Sequence, residues 1–379
     1  MKAIRKTAPA PGALDWADVP IPRCGPGDVL VRVRAASLCG TDAHIYNWDA
    51  SIGAKVLAAT EGLRRPLVIG HEFCGDVVEV GRDVKGVGEN RGEPIRVGDF
   101  ISAESHIACG VCYQCRHGQF HVCTRETIIG VQRDGAFAEY VAIPAACAWK
   151  NDPETVPVEV ACIEEPFGNA VHAATEYDVR GRCVVIFGAG PIGLFSAIVA
   201  QAEGAARIIA IDTSSFRLGL AERVGAHVTL QAEVAPPGDG ERRALARERL
   251  VERIRDAALP LEPDLVMEMS GHLDAIDAAL RAVRRGGKVI LFGLPKEGSV
   301  TIERYSEDVI FGGVALRGII GRKIYATWSK VRALVALADV RSRIRTVITH
   351  TYPFARYEEA FHKMIGRESG KVILRITPE

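Results

Sequence analysis

The chain has 379 residues with 47 basic and 47 acidic side chains, enough length for two separately cored domains. Its composition, 48% hydrophobic and 25% charged, is ordinarily globular, and a net charge near zero removes the usual electrostatic reason to expect nucleic acid or an anionic membrane as partner. No run of eighteen apolar residues occurs, and Met1 to Lys6 leads into polar sequence without an apolar signal core; this predicts a cytoplasmic protein without a membrane partner.

Along the chain, roughly the first 160 residues are rich in Gly, Pro and β-branched residues, with strand-like runs at Val29 to Val33, Cys74 to Val80 and Phe137 to Ile143. From Arg182 the pattern becomes strand, glycine turn, helix, strand: Cys183 to Phe187, Ile192 to Ala202, Arg207 to Ile211. That alternation predicts βαβ units and a parallel sheet. It continues through a helical stretch Glu241 to Ala258, a strand Leu265 to Met269, a helix Leu273 to Val283 and a strand Lys288 to Phe292. A helix (Thr327 to Leu337) and a last strand (Lys371 to Ile376) are too short for a third core and are expected to rejoin the N-terminal domain. Two stretches read as surface insertions, Ala50 to Arg65 and Gln231 to Arg243, the latter with a Pro-Pro-Gly-Asp-Gly turn.

All ten cysteines lie between Cys24 and Cys183, four of them within fifteen residues, a clustering that points to metal rather than disulfides in a cytosolic chain. Cys109, Cys112, Cys115 and Cys123 have the spacing C-x2-C-x2-C-x7-C, which lets four thiolates converge tetrahedrally on one zinc. Four protein ligands leave no position for water or substrate, so this zinc is expected to be structural. His106, His117 and His121 lie nearby, but the shell is complete without them. A second set, Cys39-Gly40-Thr41-Asp42-Ala43-His44 with Gly70-His71-Glu72, offers one thiolate, one imidazole and one carboxylate. Three ligands with an open fourth position define a catalytic zinc, although by spacing alone isolated Cys and His residues are as often core or surface groups.

Gly188-Ala189-Gly190-Pro191-Ile192-Gly193 follows an apolar strand and opens a helix, so Gly188, Gly190 and Gly193 permit a tight turn and close approach of a pyrophosphate to the helix N-terminus. The next strand ends at Asp212, 24 residues beyond Gly188, where a carboxylate can accept hydrogen bonds from a ribose and repel a 2′-phosphate. NAD is therefore expected over NADP. Cys74, Cys147, Cys162 and Cys183 sit in apolar runs and read as buried small hydrophobes; His172 reads as a packing residue, and the Arg- and Glu-rich stretch from Glu241 to Arg255 as a solvated helix face.

The order of these elements, a lone Cys, Gly-His-Glu, a four-Cys lobe and the nucleotide motif, resembles that of the zinc-containing medium-chain alcohol dehydrogenases. The resemblance covers essentially the whole chain and implies a GroES-like β-rich catalytic domain with the structural zinc lobe (1–160), a doubly wound Rossmann NAD-binding domain (161–321), and a C-terminal segment completing the catalytic domain (322–379), assembled as a homotetramer. It implies that Cys39, His71 and Glu72 are catalytic zinc ligands, that Glu165 is an acidic residue beside the metal, and that Thr41 and His44 carry the alcohol proton outward. On the cofactor side Ile192, Asp212, Arg217, Phe292, Gly293, Leu294, Ile319 and Ile320 correspond to NAD contacts. Within the family the runs Cys39 to Asp49, Glu165 to His172, Glu268 to Gly271, Gly318 to Arg322 and Ile348 to His350 are similar to members that oxidise the 3-hydroxyl of L-threonine to 2-amino-3-oxobutanoate. A related polyol or amino-alcohol is the alternative substrate, because several extra residues stand between Asp49 and Gly70, beside the substrate cleft of the family, and Tyr325-Ala326-Thr327-Trp328 replaces a common Glu before Thr-Trp.

Overall fold

The computed structural model describes the chain except residues 85–93, 237, 296–298, 367 and 378–379 and the side chain of Ser51. It divides into two compact units, the first made of residues 1–166, 323–329 and 348–379, the second of residues 167–322 and 330–347.

The first unit is built from short strands because its sequence alternates β-branched residues with Gly and Pro punctuation. Strands β1 (Lys2–Lys6), β2 (Leu14–Asp18) and β3 (Asp28–Ser37) are followed by helices α1 (Gly40–Asn47) and α2 (Ala50–Ala59). Then come β4 (Leu67–Val68), β5 (Glu72–Val80), β6 (Phe100–Ala103), β7 (His106–Ile107), α3 (Tyr113–Arg116), β8 (Thr127–Ile128), β9 (Tyr140–Pro144), β10 (Ala148–Lys150), α4 (Val158–Ala161) and α5 (Glu164–Ala174), which runs on into the second unit. The larger sheet has the order β10-β6-β5-β3, then two strands from the C-terminal end of the chain described below, with β9 also paired to β3. Ile4, Val33, Phe73, Phe137 and Phe361 lie in its core. The return segment 323–329 is anchored by Trp328, which stacks on Trp149 with ring centroids 5.2 Å apart and donates its indole N–H to Glu104 at 2.7 Å.

In the second unit β11 (Cys183–Phe187), α6 (Pro191–Ala202), β12 (Arg207–Asp212), α7 (Ser215–Val224), β13 (Val228–Gln231), α8 (Gly240–Ala258), β14 (Pro263–Glu268), α9 (Leu273–Ala282), β15 (Lys288–Leu291) and β16 (Ala315–Gly318) alternate as the sequence pattern predicts. All six strands are parallel, in the order β13-β12-β11-β14-β15-β16. Every residue of β11 is buried, as expected of a central strand covered on both faces. The strand order reverses between β11 and β14, which opens a crevice at their carboxyl ends.

The chain then runs through α10 (Ala326–Val335), α11 (Ala338–Val347), β17 (Ile348–Pro353), α12 (Tyr357–Ile365) and β18 (Lys371–Arg375). The last two strands pair in parallel, and β18 joins β3 antiparallel.

Three features differ from the expectations of sequence. Residues 330–347 belong to the second unit rather than to a continuous C-terminal segment of the first, because α11 turns buried Val340, Ile344 and Val347 inward and Arg343 reaches Gln201 and the carbonyl of Val224. The stretch 50–65, read as a surface insertion, turns one side inward: α2 spaces Ile52 and Val56 one turn apart, and Val56, Thr60 and Leu63 are buried while Ala54, Lys55, Ala58 and Glu61 stay exposed. The expected strand at 137–143 begins three residues later, at Tyr140. In the second insertion Pro237 lies outside the described residues, and the helix starts at Gly240 with Asp239 capping it through the N–H of Arg242 at 2.9 Å.

Candidate metal centres and nucleotide site

Cys39 stands at the N-cap of α1 because the Asp42 carboxylate, three residues on, accepts its backbone N–H at 2.8 Å. His71 directly precedes β5 and Glu72 opens it, and strand pairing sets Glu72 opposite Ser37, the last residue of β3. The Sγ of Cys39, a ring nitrogen of His71 and a carboxylate oxygen of Glu72 all lie within 4.8 Å of one another. Asp42 Oδ1 is 3.6 Å from His71 Nδ1, longer than a hydrogen bond but close enough for its charge to face the ring nitrogen, and a carboxylate in that place suits an imidazole that offers its other nitrogen to a metal. Burial opposes charge on His71, but Asp42 and Cys39 together outweigh it and hold its pKa well above the usual value. Burial raises the Cys39 thiol, with the Glu72 charge adding to the effect.

Glu72 is fully buried and divided in function. Its Oε2 takes hydrogen bonds from Ser37 Oγ and Lys371 Nζ; its Oε1 has no hydrogen-bond partner among the described residues. Lys371 also donates to the carbonyl of Leu38 at 2.9 Å, and although burial disfavours its charge, Glu72 and Cys39 raise its pKa overall. One sulfur, one imidazole nitrogen and one free carboxylate oxygen converge, a donor set that fits zinc. Glu165, at the start of α5, is buried and accepts from Ser105 Oγ at 2.5 Å. Thr41 Oγ1 is 3.9 Å from Cys39 Sγ, and His44 Nδ1 pairs with Asp49.

The second metal grouping is Cys109, Cys112, Cys115 and Cys123, whose sulfurs also lie within 4.8 Å of one another. Backbone N–H groups point at the sulfurs: Cys112 N–H reaches Cys109 Sγ at 3.4 Å, and the N–H groups of Cys109 and Arg125 reach Cys123 Sγ at 3.3 and 3.4 Å, while Cys112 Sγ and Cys123 Sγ are 3.8 Å apart. Hydrogen bonding from the backbone at Cys115 brings the Cys112 thiol down to about 5, so a thiolate is available at neutral pH. Of the three nearby histidines, His117 bonds to the carbonyl of Tyr113 at 2.7 Å and His106 lies 3.5 Å from Glu126; none joins the grouping of cysteines.

In the second unit Gly190 caps α6 with Pro191 at its first position. A Cβ on Gly193 would fall 1.9 Å from the carbonyl oxygen of Gly188, so only glycine lets the helix start this close to the strand. Asp212 at the end of β12 accepts the N–H of Ala189 at 2.8 Å and of Ser214 at 2.9 Å, which ties its carboxylate to the fingerprint turn. Arg217 sits in the first turn of α7. Phe292, Gly293 and Leu294 follow β15, and Ile319 and Ile320 follow β16, at the same carboxyl edge of the sheet. Leu294 is 81% and Ile320 50% exposed, apolar surface of the kind a ring-bearing ligand covers. The glycine cradle and the ribose-side carboxylate fit a dinucleotide.

Ser37, Ser105 and Lys371 are functional neighbours that sequence reasoning missed; a lone Lys before the apolar run Val372 to Leu374 is the only signal that marks Lys371. Cys74, Cys147, Cys162 and Cys183 are buried as expected, and His172 donates its Nδ1–H to the carbonyl of Gly321, 2.9 Å away. The helix face from Glu241 to Arg255 is mostly solvated, but Arg247 departs from it, pairing with Asp277 at 2.9 Å while both are nearly buried.

The family model for the alcohol dehydrogenase GroES-like domain matches residues 25–153, and that for zinc-binding dehydrogenase matches residues 191–337. L-threonine 3-dehydrogenase from Symbiobacterium thermophilum is 42% identical over 374 residues, covering 99% of this chain and 97% of the relative. L-threonine 3-dehydrogenase from Pyrococcus horikoshii is 39% identical over 377 residues, with 99% of each chain covered. Among solved structures, an alcohol dehydrogenase from Thermotoga maritima superimposes with a TM-score of 0.84 at 26% identity, covering 100% of both chains.

Proposed function

From the premise that this chain belongs to the zinc-binding alcohol dehydrogenases, in the family of the L-threonine 3-dehydrogenases, we propose that it oxidises the 3-hydroxyl of L-threonine to 2-amino-3-oxobutanoate with NAD as hydride acceptor. The observation that carries this reading is the convergence of Cys39, His71 and Glu72 on one point with buried supporting charges behind them. Zinc held there lowers the pKa of the substrate hydroxyl, and NAD takes up the hydride.

The remaining work belongs to side chains of the protein. Asp42 fixes the tautomer of His71, and Ser37 with Lys371 fix the carboxylate of Glu72. Thr41 receives the alcohol proton and His44, oriented by Asp49, passes it to water. Glu165 supplies negative charge for the substrate ammonium, and Ser105 holds it in place. Cys109, Cys112, Cys115 and Cys123 hold a second, structural zinc. Gly188, Gly190, Ile192 and Gly193 receive the pyrophosphate; Asp212 and Arg217 serve the adenosine ribose; Phe292, Gly293, Leu294, Ile319 and Ile320 back the nicotinamide. Domain roles follow the units: residues 1–166, 323–329 and 348–379 catalytic, residues 167–322 and 330–347 nucleotide-binding.

A homotetramer acting in cytoplasmic threonine catabolism completes the proposal. Support for assembly comes from β16, an edge strand whose four residues are all exposed and whose outer side is free to pair; light scattering of the purified protein tests it. No helix among the described residues is long and apolar enough to cross a membrane. The function itself is tested by NAD reduction with L-threonine beside a panel of polyols and secondary alcohols. Turnover of threonine above the others is expected; turnover of a polyol without threonine would leave the chemistry and replace the substrate, and α2 would then be the segment to examine.

A further inference from the structure

At the crevice between β11 and β14 one side chain is not accounted for by any role above. Glu268, the last residue of β14, is fully buried, yet among the described residues no lysine or arginine pairs with it. Its carboxylate is instead ringed by donors: Oε1 accepts the N–H of Ser270 at 2.8 Å, the hydroxyl of Ser270 at 2.5 Å and the N–H of Gly271 at 3.0 Å, and Oε2 accepts the latter again at 3.1 Å. Donors of this kind favour the ionised form. Burial pushes the pKa of Glu268 up, and the bonds from Ser270 and Gly271 pull it back.

The turn that Glu268 clasps is wedged between the other loops of the crevice. A Cβ on Gly188, the first fingerprint glycine, would come within 3.1 Å of Ser270; one on Gly293 would come within 2.0 Å of the Gly271 nitrogen. Phe292 and Gly293 donate their N–H groups to the Glu268 carbonyl at 2.9 and 3.1 Å. Loops after β11, β14 and β15 thus meet around one buried anion. Because Asp212 on β12 takes the adenosine half on one side of β11, the nicotinamide half falls to the β14 and β15 side of the switch point.

We propose that Glu268 is a positioning and specificity residue for the redox state of the cofactor: its unneutralised buried charge favours oxidised NAD, whose nicotinamide ring is cationic, over neutral NADH. A buried charge with no lysine or arginine partner, met by charge only from the exposed His272, is costly, and a cationic ring arriving in the crevice offsets that cost where a neutral ring does not. Such a bias suits an alcohol oxidation, since it holds the acceptor and releases the reduced product. The inference rests on the reading of this crevice as an NAD site.

The test is direct binding of both cofactor forms to the purified, zinc-loaded full chain by calorimetry, without substrate. Glu268→Gln keeps one acceptor oxygen for Ser270 and Gly271, puts an amide NH2 in place of the other, and removes the charge. It should raise the Kd for oxidised NAD about tenfold and that for NADH by less than about twofold, as a medium-range charge interaction in a protein interior implies. Ser270→Ala loosens the clasp but keeps the charge, so both constants should rise together with their ratio unchanged. Ser270→Lys, at an exposed position, sets a cation against the intact carboxylate and should shift the ratio in the same direction as Glu268→Gln, whether or not the latter folds. Equal weakening of both forms by Glu268→Gln, or an unmoved ratio with Ser270→Lys, would overturn the assignment; binding of neither form by the unaltered protein would overturn the NAD reading with it.

Discussion

The two metal groupings are made of similar atoms in opposite ways. The four-cysteine lobe draws all its candidate ligands from residues 109–123 and turns backbone N–H groups of the same loop toward them. The open centre draws Cys39, His71 and Glu72 from separate elements and rests on Ser37, Asp42 and Lys371, the last of which stands 299 residues from Glu72 in sequence. Three strands make this possible: β18 sets Ile373 opposite Ser37, and β3 sets Ser37 opposite Glu72. A closed site needs only a loop; an open one needs the fold, because an incomplete ligand shell must be held in shape by groups that do not themselves touch the ion.

Ligand deletion is the strongest way to break this contrast. Cys39→Ser should lower turnover by about 10³-fold or more, since it removes a ligand worth several kcal/mol of catalysis, while the thermal midpoint stays near that of the unaltered protein and zinc falls from two ions to one per chain. Cys112→Ser should do the reverse in order, losing folding of the lobe first and activity as a consequence, because structural zinc binding is folding free energy. Metal analysis, calorimetric melting and turnover on the same samples separate the cases. If both variants lost stability alike, the division into a structural and a catalytic centre would fail.

Next in size is the support. Lys371→Met strands the Glu72 carboxylate without its buried cation, which should cost about 3–5 kcal/mol of stability and weaken zinc retention at the open centre. A counterpart side-chain change at Arg125, which meets Cys123 Sγ through its backbone N–H, should leave zinc in place. His44→Ala follows, lowering turnover by about 10²-fold, in line with a general acid–base role, with both zinc ions retained; unchanged turnover would remove His44 from the relay.

How far sequence alone reaches follows the same division. The lobe and the fingerprint turn are legible because spacing within one loop or one βα turn already fixes their geometry: Cys109 to Cys123, and Gly188 to Gly193 with Asp212. Cys39, His71 and Glu72 became candidates by spacing only weakly, and resemblance strengthened them, because the contacts that bring them together arise from strand pairing. Lys371 carried only the faint signal of a lone Lys before an apolar run, and Ser105 beneath Glu165 carried none, for the same reason. The mistaken segments share a cause as well. Residues 330–347 carry an amphipathic pattern that says helix but not which core it covers, and 50–65, lacking a side-chain cap at Asp49, reads as a surface insertion although Ile52 and Val56 repeat at helical spacing. Asp49 has no capping bond to give because its carboxylate is turned to His44.

The finest test of the contrast is Asp42→Asn, which alters no ligand and almost no volume. The cap at Cys39 needs only an acceptor oxygen, and asparagine retains one for the N–H now bound at 2.8 Å. What changes is the group facing His71 Nδ1 at 3.6 Å: a neutral amide replaces the carboxylate that orients the ring and makes it a stronger donor to metal. Loss of such a partner costs about 10- to 100-fold in metal affinity, so the open centre should release zinc to a chelator at proportionally lower concentration while the four-cysteine lobe holds its own. Helix α1 should persist by circular dichroism, since the cap survives. Parallel loss from both centres would mean that Asp42 serves the helix rather than the imidazole.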